Sequence, residues 1–223
     1  MGLRTAISTL ICIAGAPVAK SVWFAFQEKT AMKKGLALGI ILGLAANAAA
    51  SQELDKLTAE ARTQSAQLIK ELGARLKQEL AAGGPEAALS VCRDAAPEIA
   101  SRLSRESGSR IARVSLKTRN PLIGTPDAWE QSVLAAFDQR AASGEKAQAL
   151  ESAEIVSEPQ GRYFRYMKAI PLQPMCATCH GSDAAIPDAV KARLREQYPH
   201  DRATGYEPGQ VRGAVTVKTF LGN

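Results

Sequence analysis

The first hydrophobic pattern in the chain has the period of a helix. Over residues 52–82, leucine or isoleucine recurs at three- to four-residue spacing among Glu, Lys and Gln, which is typical of an amphipathic α-helix. The pair Gly83-Gly84 ends this pattern, and Pro85 suits the first turn of a following helix. We therefore predict one long N-terminal helix and a second helix directly after it.

The second helix carries a cysteine on its apolar face. Leu89, Cys92 and Ala96 share one side of this helix. Pro97 has no amide hydrogen, and its ring collides with the carbonyl group of Arg93, four residues earlier. We therefore predict that Cys92 faces inward, close to a break in the helix.

In several segments beyond residue 109 the hydrophobic period is two, because apolar and polar side chains alternate there as in half-buried β-strands. The stretch Pro159-Gln160-Gly161 separates two such segments and predicts a hairpin, whereas RNPLIGTPD (119–127) indicates a turn-rich loop. Helices followed by an antiparallel sheet with helical insertions make an α+β domain. The predicted strands are 110–118, 154–158, 162–170 and 211–219, and the later predicted helices are 127–143 and 187–198.

The first 50 residues have the organisation of an export leader. Two lysines precede the apolar run GLALGIILGLAANA, and three alanines precede Ser51, which is the order found in secretory signal peptides. The apolar run is shorter than the about 20 residues of a membrane span, so cleavage near Ala50 is favoured over retention as an anchor. We expect a leader over 1–50, with the signal peptide at 32–50 and a start-site artefact at 1–31, and a single periplasmic domain over 51–223.

Most of the positive charge lies in this leader. The formal net charge of the chain is +6, but the leader contains five basic residues and one acidic residue, so residues 51–223 hold 23 basic and 21 acidic side chains. Such a balance provides no basic stripe for nucleic acid. Membrane contact is expected only through an uncleaved leader.

Three cysteines remain beyond the leader, which contains Cys12. Cys176 and Cys179 are separated by two residues and followed by His180, in the segment CATCH. Two thiols at this spacing can each add to a vinyl group of haem, and a histidine directly after the second thiol falls beneath the iron. The segment predicts one covalent haem c per chain, with His180 as an axial ligand. Cys92 is left as an odd thiol in an exported protein.

Two other kinds of site use thiols at this spacing. A redox pair or disulfide of the thioredoxin type lies between a strand and a helix N-terminus, whereas Pro174 precedes this pair and Gly181 follows it. A zinc site requires four ligands, and beyond the leader only Cys92 and His200 add nitrogen or sulfur donors. Haem c is favoured, because bacteria attach it outside the cytoplasm and the chain carries a leader.

The second axial position of the iron has four candidates. Met175 directly precedes Cys176 and is poorly placed to reach the opposite face of the ring. Met167 lies within a strand, where methionine usually belongs to the core, and His200 follows a helix-ending proline, where a surface position is usual. Cys92 is favoured, because it faces inward beside the helix break and is otherwise an unpaired thiol, although a small buried thiol also fits the pattern. A thiolate ligand lowers the reduction potential and can leave on reduction.

Longer motifs surround these residues over 53–218: VCRDAAPEIA, RVSLKTRNP followed by PDAWE, YFRYMKAI before CATCHG, and GYEPGQVRGAVTV. Together they resemble a bacterial and cyanobacterial family of small exported c-type haem proteins with a PAS-like fold, which is also found as a haem sensor domain of histidine kinases. The resemblance implies His/Cys axial ligation. Cys92 and His180 match the iron ligands, and Cys176 and Cys179 match the thioether cysteines.

The same resemblance implies a redox or small-gas sensor without enzyme activity, which acts through a separate signalling or redox partner protein. An electron-transfer cytochrome c is the alternative. The alternating stretches disfavour a four-helix cytochrome, and no recognisable distal His/Arg pair indicates a peroxidase. A homodimer through the long first helix is left open. Arg119 and Asn120 match a recurring turn in the family, for which a contact with a haem propionate and a purely structural role are the alternatives.

Overall fold

A computed structural model describes the backbone of residues 28–223 and the side chains of residues 50–223. The predicted start-site artefact and signal peptide lie outside the part that is described in full. Residues Ala50–Asn223 form one compact unit. No helix in the described part is long and apolar enough to cross a membrane.

The first helix contains the predicted segment 52–82. It is α1 (Glu28–Ser90), and it kinks at Gly84, where the predicted boundary lies. The φ of 71° at Gly84 belongs to the left-handed region, which glycine adopts without a Cβ clash. Pro85 follows the kink, in the position that the sequence predicts for the start of a new helix.

The break predicted at Pro97 takes the form of a π-helical turn. This turn spans Val91–Ala95, and the amide of Ala96 donates to the carbonyl group of Val91, five residues earlier. The next helix, α2 (Ala96–Ser107), has Pro97 in its first turn, where a missing amide hydrogen costs no helical hydrogen bond. The wider turn therefore accommodates the proline, and it contains Cys92.

The four strands form one antiparallel sheet, in which the first strand of the chain pairs with the fourth, the fourth with the third and the third with the second, which confirms the predicted α+β class. The first strand is shorter than the predicted 110–118, because the Ser115 hydroxyl bonds the backbone of Lys117 and Arg212 and turns the chain away from the sheet. The four strands are β1 (Arg110–Val114), β2 (Glu151–Glu158), β3 (Gly161–Pro171) and β4 (Val211–Gly222).

Four α-helices lie between these strands in the sequence. The predicted loop RNPLIGTPD contains one of them, a single helical turn capped by Asn120, whose side chain accepts from the amide of Leu122. Asp127 and Glu130 form a reciprocal capping box at the start of the longest of the four. They are α3 (Pro121–Gly124), α4 (Ala128–Ala142), α5 (Ala177–His180) and α6 (Asp188–Gln197).

The sheet is buried on both faces, and the alternation of side chains assigns each strand residue to one of them. Phe164, Tyr166 and Val217 pack with residues of α1 and α2. Met167 and Ala214 face the other way and pack with residues of α4. The sheet is therefore the middle of three layers, and the segment that carries CATCH follows directly from β3.

Candidate functional site

The CATCH segment folds as a short helical unit. A 3-10 turn over Pro174–Cys176 leads into α5, and the Cys176 amide donates to the Gln173 carbonyl oxygen at 2.9 Å. Cys176 and Cys179 are free thiols and half-buried. A Cβ atom on Gly181 would lie 2.5 Å from a backbone oxygen of α5, so the chain needs glycine where it leaves this helix.

His180 is oriented by the backbone of the following loop. Its Nδ1 lies 2.7 Å from the carbonyl oxygen of Ala203, which leaves Nε2 free for a metal, as in many metal-binding histidines. Burial holds the pKa of His180 well below its usual value, and the positive charges of Arg212 and Arg119 act in the same direction. The imidazole is therefore neutral, which is the form that binds iron.

A buried ion pair holds the loop that accepts this hydrogen bond. Asp201 accepts from the Ala203 amide at 2.7 Å through one carboxylate oxygen, and from Arg119 Nε at 3.1 Å through the other. Arg119 also donates to the carbonyl oxygen of Cys179. Arg119 thus ties the CATCH helix to the loop behind His180, and this set of contacts is a structural role for the Arg-Asn-Pro turn.

A second arginine lies beside the same histidine. Arg212 NH1 donates to Ser115 Oγ at 2.9 Å and to the Lys117 carbonyl oxygen at 3.2 Å, and its Nε lies 3.1 Å from His180 Nδ1. Since the Nδ1 hydrogen points to Ala203, this last approach places a charge beside the ring rather than a second hydrogen bond. Burial lowers the pKa of Arg212, although an arginine keeps its proton at neutral pH.

Cys92 lies close to the two thiols of CATCH. Burial raises the pKa of Cys176, and the neighbouring Cys92 side chain adds to this shift. Burial also raises the pKa of Cys179, to about 11, again with a contribution from Cys92. Leu89, one turn before Cys92, packs in a third apolar cluster that Cys179 also contacts. The structure thus brings together the four residues predicted from the sequence, with Cys92 half-buried rather than fully enclosed.

The other candidate ligands lie in different surroundings. Met167 is fully buried and packs with Leu134 and Phe137 in the cluster under α4. His200 is exposed in the turn after α6, and Met175 is half-buried directly before Cys176. Among the residues described, no three His, Cys, Asp or Glu side chains form a group that could hold a bare metal ion.

A cavity of about 740 Å³ opens beside this region, between α4 and the segment from Gly205 to Gly213. Lys117 and Tyr206 line it, and the ammonium group of Lys117 lies 4.5 Å from the centre of the Tyr206 ring. The cysteines and the histidine of CATCH are not among its lining residues. The cavity is therefore separate from the thiol and imidazole groups.

The residues 44–219 match the family model for Tll0287-like proteins. The chain belongs to the Tll0287-like family. One solved structure with the same fold is the cyanobacterial haem protein Tll0287, with a TM-score of 0.53 and 24% sequence identity, over 76% of this chain and 96% of that one. No curated protein is detectably similar to the chain. The resemblance to a haem-protein family is thus confirmed.

Several residues of this site in the Tll0287-like chain were not predicted. Asp201, Ala203 and Arg212 surround His180 through tertiary contacts that no local spacing reveals. Arg212 belongs to the motif GYEPGQVRGAVTV. The sequence singled out this segment, but nothing in the motif marked Arg212 as a site residue. The signal for Arg119 was clearer, because the Arg-Asn-Pro turn was one of the motifs singled out in the sequence.

Proposed function

We propose that the protein is a periplasmic c-type haem protein. Cys176 and Cys179 would form the thioether bonds to the haem, and His180 and Cys92 would bind its iron. The single observation that carries this proposal is the 2.7 Å contact between His180 Nδ1 and the Ala203 carbonyl oxygen. His180 directly follows Cys179 in the chain, and Cys176 and Cys179 are free, half-buried thiols. This donor set matches the chemistry of haem c.

The cofactor supplies one-electron chemistry and, when an axial position opens, a site for a small gas. The chain supplies the orientation of its ligands. The hydrogen bond to Ala203 fixes the ring of His180, and the buried Arg119–Asp201 pair fixes Ala203. These contacts therefore hold the ring of His180 in one orientation.

Cys92, the other proposed ligand, lies where the helical backbone is irregular. It belongs to a π-helical turn, and such turns recur at functional sites because they disturb the regular helical hydrogen bonds. Cys92 would bind the iron as a thiolate, and a proton taken up from solvent would weaken that bond, so Cys92 would be suited to leave on reduction. We propose that this exchange makes the domain a PAS-like redox or small-gas sensor, without enzyme activity, that signals through a partner protein.

Covalent attachment is tested by producing the chain with a bacterial cytochrome c maturation system and measuring its mass after denaturation. The proposal predicts one haem per chain in the wild type, retained in Cys92→Ser and lost when Cys176 and Cys179 are both replaced by Ser. A wild type without covalent haem, or a double variant that keeps it, contradicts the proposal. Reduction with dithionite followed by carbon monoxide tests the sensor role, and an unchanged six-coordinate iron argues against it.

An electron-transfer cytochrome c is the second candidate function. It is favoured by the partial exposure of the two thioether cysteines, since Cys176 and Cys179 are half-buried rather than fully enclosed. A partner could then approach the edge of the cofactor. Fast reversible reduction with both axial ligands retained supports this function, whereas loss of the Cys92 ligand on reduction supports the sensor.

A further inference from the structure

The surroundings of His180 carry more positive than negative charge. Arg119 is paired with Asp201. Arg212 is different, because its hydrogen bonds go to two neutral groups, the Ser115 hydroxyl and the Lys117 carbonyl oxygen, and its Nε lies 3.1 Å from the neutral imidazole of His180. The ring of Tyr206 also lies beside Arg212, with its centre 5.3 Å from the guanidinium carbon.

This charge is poorly screened by solvent. The side chain of Arg212 is half-buried, and this burial lowers its pKa, because a partly desolvated cation is disfavoured. Arg113, on the neighbouring strand, adds a like charge, which lowers the pKa of Arg212 and of His180 further. In such surroundings a charge acts over a longer range than at the surface.

We propose that Arg212 tunes the reduction potential of the iron bound by His180, raising it through an uncompensated positive charge beside the histidine ring. This inference rests on the proposed haem site. One electron passes from an external donor to the ferric iron, which becomes ferrous, and Arg212 keeps its proton throughout. The added negative charge is stabilised by the cation, so the reduced state is favoured.

Arg212 opposes the effect of the Cys92 ligand. A thiolate donates electron density and favours the ferric state, whereas a nearby cation favours the ferrous state. Cys92 and Arg212 thus shift the ferric–ferrous equilibrium in opposite directions. Arg212 is a positioning and tuning residue, since it acts through His180 and the charge of its own side chain.

The test is the midpoint potential of the matured holoprotein, measured by optical titration. Arg212→Gln keeps hydrogen-bond donors and removes the charge, whereas Arg212→Lys keeps the charge and removes the planar fork. Arg162→Gln is the matched control, because Arg162 is 49% exposed and pairs in register with Gly222, at the opposite end of β4 from Arg212. Arg113→Gln provides a second charge removal if Arg212→Gln does not fold.

We expect Arg212→Gln to raise the ferric-to-ferrous ratio at a fixed potential by about tenfold or more, which equals a fall of about 59 mV for a one-electron couple. Arg113→Gln shifts the potential in the same direction by less, and Arg212→Lys and Arg162→Gln stay close to the wild type. Equal potentials for Arg212→Gln and Arg162→Gln overturn the inference, as does a shift in Arg212→Lys as large as in Arg212→Gln. If the wild type carries no covalent haem, the proposed function itself fails, and the haem content of each sample separates the two outcomes.

Discussion

The substitution Asp201→Ala tests the network behind His180. Asp201 and Arg119 form an ion pair whose side chains are 11% and 7% exposed. Removing one partner of a buried pair leaves an uncompensated charge and costs about 3–5 kcal/mol. Because Asp201 keeps some exposure, we expect a value near the lower limit, a loss of about 3 kcal/mol in the free energy of unfolding.

The assay is urea denaturation of the matured protein at neutral pH, with the midpoint and slope compared between variants. Asp201→Asn removes the charge but can still accept from the Ala203 amide, so it isolates the contribution of the ion pair. The matched control is Glu145→Ala, which breaks an ion pair with Arg140 whose side chains are 42% and 43% exposed, and should leave the urea midpoint unchanged. A loss in Asp201→Ala no larger than in this control refutes the reasoning.

Three further predictions address the core, the pH dependence and the CATCH segment. Glu130→Ala removes a carboxylate that is 1% exposed and leaves the buried Arg165 with one partner fewer, so we expect a loss of about 3 kcal/mol in urea denaturation; a loss below about 1 kcal/mol contradicts this. The hydrogen bond from Arg62 lowers the pKa of Glu151 below its ordinary 4.5; the carboxylate therefore stabilises the fold above that pH, and this contribution is lost as the pH falls through the lower folded value. The melting temperatures of Arg62→Ala and wild type should thus differ at neutral pH and converge in acid, and a constant difference argues against the pair. Gly181→Ala places a Cβ atom 2.5 Å from a backbone oxygen, so the yield of covalent haem should fall well below that of a Ser182→Ala control; equal yields show that the segment tolerates the side chain.

The periodicity of the sequence predicted the extent of those helices and strands whose ends are set by residues nearby in the chain. The helix predicted over 127–143 is α4, because Asp127 and Glu130 cap its first turn. The strand predicted over 110–118 ends early, since the Ser115 hydroxyl bonds backbone groups of Lys117 and of a distant strand. Periodicity records which face a side chain occupies, and it does not record such side-chain to backbone bonds.

In the candidate site too, some residues could be predicted from local spacing, whereas others depend on tertiary contacts. The spacing of Cys176, Cys179 and His180 is local chemistry and was visible in the sequence. The position of Cys92 needed the helix break and the family resemblance, and the structure places it near the two thiols, in a π-helical turn. Arg212 lies beside His180 only because the sheet brings β4 back to the CATCH segment, and this contact depends on the whole fold.

The central claim is that a covalent haem is bound between His180 and Cys92. The most direct measurement is electron paramagnetic resonance of the oxidised, matured protein beside Cys92→Ala, with His200→Ala as a control for the exposed histidine. We expect a low-spin ferric signal with thiolate character in the wild type and in His200→Ala, and its loss in Cys92→Ala. A thiolate signal that persists without Cys92, or a wild-type signal that changes only with His200→Ala, contradicts the claim.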